Sequence, residues 1–119
     1  NEIDSKHKKL VNKAIELVEK GEKLIFFQYG GDLSISSDIS NELSFLFPKK
    51  FIIVAYILGA HANISGRGKN IREKVLEALK DLSDATGGGH EDAIGARVRV
   101  EDLELFRKRI QDLIESNKK

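Results

Sequence analysis

The sequence predicts an α/β fold: a small mixed β-sheet of about four strands flanked by helices. Three observations carry this. Segments with apolar residues at helical spacing alternate with short Ile-, Val- and Phe-rich runs. The longest such run, Phe51 to Leu58, is nearly continuous, as expected of a strand covered on both faces. Glycines and the single proline fall between the segments rather than within them.

The elements follow in order. Leu10, Ala14, Leu17 and Val18 form one helical stripe, with Asp4 or Ser5 available as a cap and Gly21 where a left-handed C-terminal residue belongs. Lys23 to Tyr29 reads as a strand ended by Gly30-Gly31. Ile39, Leu43, Leu46 and Phe47 make a second stripe, capped by the preceding serines and Asp38 and stopped by Pro48. After the Phe51–Leu58 strand, Gly59-Ala60 suits a two-residue hairpin turn, and His61 to Ser65 returns as a strand broken by Gly66-Arg67-Gly68. Asn70 and Glu73 have capping-box spacing for a helix over 71–82 with Ile71, Val75, Leu79 and Leu82 inward. A glycine loop follows, then a short strand from Ala96 to Val100. The last helix turns Leu103, Phe106, Ile110, Leu113 and Ile114 inward and ends in a solvated Asn-Lys-Lys tail.

At 119 residues with 40% hydrophobic content, the chain is long enough for one core and one domain spanning 1–119. The chain lacks an initiator Met and is expected to be cut from a longer protein. The polar start is no signal peptide, and no apolar run approaches the roughly 20 residues of a membrane span, so a cytoplasmic location without membrane contact is expected. Cys is absent, which excludes disulfides and thiolate metal sites. His7, His61 and His90 lie far apart and show no ligand spacing; His7 and His61 are read as structural. The net charge of +1 means that any electropositive surface is local. High charge with no Cys or Met leans towards a thermophile.

Two breaks in the pattern carry the functional signal. Gly87-Gly88-Gly89-His90 is too costly in backbone entropy for a helix or strand interior, so it is expected to be a loop whose bare N–H groups a ligand can approach. Gly87 can also serve as a helix C-cap. His90 adds a donor or acceptor. In Ser65-Gly66-Arg67-Gly68-Lys69, glycines flank an arginine whose freed guanidinium can grip a phosphate, with Lys69, Arg72 and N–H groups at the start of the 71–82 helix adding to the anion site. Arg97 and Arg99 share one strand face and extend a basic surface, although a solvated face is the plainer account. Glu91 and Asp92 oppose an anion unless turned away. The reading fails if Arg67 and the amides around Gly88 lie on opposite sides of the molecule.

Gly87-Gly88-Gly89-His90 followed by Ala93-Ile94-Gly95-Ala96 resembles the Gly-Gly-Gly-His motif of the DHHA1 domain. Ile64-Ser65-Gly66-Arg67-Gly68 resembles the Ser-x-Arg segment that precedes it, and the likeness runs from Lys23 to the end. DHHA1 domains form the C-terminal half of the DHH phosphoesterases, and the Arg-Gly version is most similar to archaeal RecJ-like single-strand exonucleases. The resemblance implies that Ser65 and Arg67 contact substrate phosphate, and that Gly87, Gly88, Gly89 and His90 contact the terminal nucleotide of a single-stranded nucleic acid or short oligonucleotide. It implies catalytic Mn²⁺ or Mg²⁺ on an N-terminal DHH domain, to which this chain would be the partner. Two-metal hydrolysis needs clustered hard ligands, and neither a DHH triplet nor a substitute set occurs here, so the chain alone is expected to bind no metal and to be inactive. Ile94 stands where the family has a small residue, and Glu91-Asp92 is unusually acidic. The alternatives are a non-catalytic interaction module of a replication or repair assembly, a domain of a cyclic-dinucleotide or oligonucleotide phosphodiesterase, and the related C-terminal domain of alanyl-tRNA synthetases.

Overall fold

The apolar run at 51–58 does form the strand expected of it, and the rest of the molecule is arranged around it. In the computed structural model, which describes residues 2–115, the order is α1 (Glu2–Glu16), β1 (Leu24–Tyr29), α2 (Ser36–Leu46), β2 (Phe51–Leu58), β3 (His61–Arg67), α3 (Ile71–Ala78), β4 (Thr86–His90), β5 (Ala93–Arg99), a 3-10 turn over Val100–Asp102, and α4 (Leu103–Glu115). One sheet runs β1-β2-β3-β5-β4. The β1/β2 pair is parallel, with α2 as its crossover, and the other pairs are antiparallel. Gly59, at φ +63°, turns the β2–β3 hairpin in the left-handed region that glycine tolerates.

Alternation along the strands divides the core in two. Ile53, Ala55, Ala62, Ile64, Ile94 and Val98 face α3 and α4, where Phe106, Ile110 and Ile114 are fully enclosed. Ile25, Phe27, Ile52, Val54 and Tyr56 face α1 and α2. Each buried side chain of this size contributes about 1.5–3 kcal/mol. The second helical layer covers β1 and β2, and α2 also packs on β3, where it buries Ser65. On that face β5 and β4 lie uncovered, with Gly88, Gly95 and Arg97 all exposed.

Several expectations are corrected. The sheet has five strands rather than about four, because the glycine run is β4 and not a loop. As an edge strand it pairs only with β5, and every residue of it is exposed. Two of its glycines answer close approaches. A Cβ on Gly87 would stand 2.9 Å from Leu79 Cδ1, and one on Gly89, at φ +153°, would stand 2.4 Å from the Ala93 carbonyl oxygen. β3 runs on through Gly66 and Arg67, and β5 begins at Ala93, because the two pair along their whole length. The third helix ends at Ala78, where Arg109 of α4 donates to the carbonyls of Ala78 (3.1 Å) and Lys80 (2.8 Å).

The capping assignments also change. Asn70 adopts a left-handed φ of 58° and makes no side-chain cap, so there is no capping box. The serines and Asp38 do not cap α2; its N-cap is Ile35, whose N–H donates to Tyr29 Oη at 2.9 Å. Asp4 and Ser5 lie inside α1, and Gly21 (φ +89°) turns the chain five residues after that helix ends. Val11, not Leu17, joins Ala14 at the centre of the α1 stripe. The Asn-Lys-Lys tail lies outside the described residues.

Candidate functional site

The strand register settles which side chains share the uncovered face. Residues opposite one another in neighbouring strands point the same way. One row across β3-β5-β4 is Arg67, Ala93 and His90; the next is Ser65, Gly95 and Gly88; the next is Asn63, Arg97 and Thr86. Arg67 and Gly88 are thus on one side of the sheet, two strands and about 10 Å apart by strand spacing. Only Gly88 of the three glycines turns its missing side chain to this face, and a Cβ there would meet nothing within 4 Å. An open hollow of ≈ 330 Å³ lies here, lined by Ser36, Ser37, Ser65, Arg67, His90 and Gly95 among others.

Arg67 is held rather than free, contrary to the expectation for a flanked loop arginine. Its Nε donates to Asn41 Oδ1 (2.8 Å), Nη1 to Ser65 Oγ (3.1 Å) and the Gly66 carbonyl (2.7 Å), and Nη2 to Ser37 Oγ (3.1 Å). Four of the five guanidinium donors are therefore engaged and one remains open. All the acceptors are neutral. Burial lowers the affinity of this guanidinium for its proton below the ordinary value, yet arginine keeps its charge at neutral pH. The result is a half-desolvated, pre-oriented cation with no ion-pair partner among the described residues. Such a group gains most from an incoming anion, because little ordering entropy remains to be lost.

Ser65 is buried, and its hydroxyl lies 2.7 Å from Ser40 Oγ. Ser40 Oγ in turn donates to the Ser37 carbonyl at 2.9 Å. His90 is exposed at the end of β4 and has no hydrogen-bond partner among the described residues. At the far end of the face, Arg97 Nη2 donates to His61 Nδ1 (3.0 Å), and His61 Nε2 meets Asp84 Oδ2 (2.7 Å).

The anion seat expected at the start of α3 is already taken. Asn70 N–H donates to Asp92 Oδ1 (2.8 Å), Gly68 N–H to the Asp92 carbonyl (3.1 Å) and Arg72 N–H to the Glu91 carbonyl (3.1 Å). The β4–β5 turn therefore docks on the helix start, where a negative side chain is stabilised. Asp92 is turned away from the uncovered face by this docking. Arg72 borders a different hollow with Glu73, Gly89 and Glu91.

Sequence reasoning missed the contribution of α2: Ser37, Ser40 and Asn41. The available signal was Ser40 itself, a small polar residue fully buried between Ile39 and Leu43 on the inward stripe. A buried hydroxyl implies a polar partner.

A family model described as the DHHA1 domain matches residues 8–116. In structure the chain resembles RecJ in complex with Mg²⁺ from Thermus thermophilus, at TM-score 0.71 and 13% identity over 92% of this chain and 17% of that one. It also resembles CDC45 from Entamoeba histolytica, at TM-score 0.57 and 13% identity over 88% of this chain and 27% of that one. The C-Ala domain of Aquifex aeolicus alanyl-tRNA synthetase gives TM-score 0.52 and 16% identity over 74% of this chain and 90% of that one. At these identities the likeness is one of fold, and the chain spans only a minor part of the RecJ and CDC45 chains. No curated protein matches the sequence.

Proposed function

The chain belongs to the DHHA1 domain family, and from that premise we propose that it is the substrate-holding domain of a RecJ-like single-strand exonuclease of the DHH phosphoesterases. The observation that supports this most directly is Arg67: a partly buried cation, fixed by neutral acceptors, beside a strip of sheet without side chains. A phosphate has the charge and the acceptor geometry that such a site lacks.

In this reading Arg67 supplies the charge and Ser65 is a positioning residue, because its hydroxyl is committed to Ser40 and Arg67. Gly88 and Gly95 leave the strand surface low enough for a sugar–phosphate chain to lie against the backbone. Gly87 and Gly89 shape β4 from behind, one admitting Leu79 and the other the turn at Ala93. His90, free at the strand end, orients the terminal nucleotide. Tyr29 and Tyr56 are buried in the core and offer no stacking surface, whereas Phe45 is exposed on α2.

The phosphodiester cleavage itself is assigned to the DHH domain with its Mn²⁺ or Mg²⁺. Among the described residues no three His, Asp or Glu side chains gather as a metal site. Its part is to bind, orient and close over the strand. No helix of the described residues is long and apolar enough to cross a membrane.

The test is an NMR titration of the chain with a single-stranded oligonucleotide. Shifts at Gly88, His90, Gly95 and the Arg67 side chain, abolished in Arg67→Ala, are the expected result. Shifts confined to other surfaces, or an unchanged titration in the variant, overturn the reading.

A further inference from the structure

The uncovered face carries a second guanidinium, more exposed than that of Arg67 and held by a single hydrogen bond. Arg97 lies one row beyond the Ser65–Gly95–Gly88 strip, opposite Asn63. Its hydrogen-bond partner is the ring of His61, not a carboxylate. Nδ1 of that ring accepts from Arg97, so the ring proton sits on Nε2 and donates to Asp84 Oδ2. The imidazole is thereby a spacer: it fixes Arg97 in place and stands between it and Asp84. Arg99, on the same face, is different. Glu101 Oε1 engages both its Nε (2.8 Å) and its Nη2 (2.7 Å), so its charge is neutralised.

Asn63 and Arg67 are four positions apart on β3, about 13 Å at ~3.3 Å per residue. That exceeds the Debye length of about 8 Å at physiological salt, so the two guanidiniums act as separate anion sites rather than one. The floor between them is Gly95 and Gly88, with the buried Ser65 beside α2. Two fixed cations at the ends of a bare floor define a path along the strands.

Resting on the reading of Arg67 above, we propose that Arg97, held by His61, is a second phosphate site, and that a single strand lies along β5 from Arg67 to Arg97. At ~3.4 Å per stacked nucleotide, the path spans about four nucleotides. The second site would then make affinity depend on strand length: a dinucleotide reaches Arg67 alone, whereas a longer strand reaches both.

The experiment measures binding of a dinucleotide and a hexanucleotide, both single-stranded, to the wild-type chain and to Arg97→Gln, Thr86→Glu and Arg67→Gln. Arg97 and Thr86 are exposed, so neither substitution disturbs the core; Thr86→Glu places a carboxylate opposite Arg97 in the neighbouring strand. Arg97→Gln and Thr86→Glu are each expected to weaken the hexanucleotide about tenfold, the equivalent of one charge-assisted contact, and to leave the dinucleotide unchanged. Arg67→Gln is expected to weaken both ligands. If Arg97→Gln binds the hexanucleotide as the wild type does while Arg67→Gln weakens it, the second site is overturned and the Arg67 reading stands. If the wild type binds neither ligand, both fall.

Discussion

The hydroxyls of Ser40 and Ser65 lie 2.7 Å apart, buried where α2 meets β3. Because each hydroxyl has one proton, the direction of the network is determined. Ser40 donates to the Ser37 carbonyl, so Ser65 must donate to Ser40, and Ser65 in turn accepts from Arg67 Nη1. Ser37 closes the circuit by accepting from Arg67 Nη2 through its own hydroxyl. The helix and the strand are thus joined by the same bonds that aim the guanidinium.

Ser40→Ala leaves the Ser65 proton without its acceptor. Stability is expected to fall by about 1–3 kcal/mol, the cost of an unsatisfied buried donor. Adding Ser65→Ala removes that donor as well, so the double variant should lose less than the two single losses combined. Denaturant midpoints of the four proteins read this directly, and strict additivity contradicts the directed network.

Much of this site was legible from local pattern. The Arg67 and Gly88 segments were recognisable because glycine is informative wherever a side chain would obstruct. The order of helices and strands followed from hydrophobic period, since four long amphipathic stripes leave few arrangements. The glycine run reads as a loop because intrinsic propensity disfavours glycine in strands; in the fold, pairing with β5 outweighs that preference. The α2 contribution stayed hidden for a different reason. Ser37 and Asn41 reach Arg67, and Ser40 reaches Ser65, only through the β1-α2-β2 crossover; Ser40 on the inward stripe signals a polar partner without saying which one.

Arg67→Ala should flatten the salt dependence of single-strand binding. One phosphate contact accounts for about 0.7 of the slope of log affinity against log salt for a single strand. Arg67→Lys keeps the charge but not the planar fork that meets Asn41, Ser65 and Ser37 together, so it should retain the slope and still bind more weakly. Affinities measured over a salt series separate the two variants. An unchanged slope in Arg67→Ala removes this residue from the phosphate contact.

The glycines of β4 should divide by face. Gly88→Ala meets open space and is expected to leave stability within about 0.5 kcal/mol. A bulkier Gly88→Leu should still fold but weaken oligonucleotide binding, because its side chain rises beside Gly95, which lines the hollow. Gly89→Ala combines φ +153° with a contact of 2.4 Å to backbone and should be clearly destabilising. Thermal unfolding of the three variants, read beside their binding, tests the division. Equal destabilisation at 88 and 89 argues against it.

Tyr29 should make the fold sensitive to alkali. Burial is the main cause raising its hydroxyl above the ordinary value of 10.0; the N–H of Ile35 partly offsets this, while Tyr56 and Asp38 add to the rise. A folded pKa above the unfolded one means that this stabilisation is fully present below pH 10.0. It is lost as pH climbs from there through the folded value, because the unfolded chain gives up the proton first. Tyr29→Phe removes the acceptor of the Ile35 N–H, at a cost of about 1–3 kcal/mol near neutrality. The same substitution deletes the titrating group, so its stability should decline less steeply with alkaline pH than that of the wild type. Lysine ionisation is common to both proteins and cancels in the comparison. Unfolding midpoints of the pair across the alkaline range check the sign: converging curves support a neutral, buried Tyr29, and parallel curves contradict it.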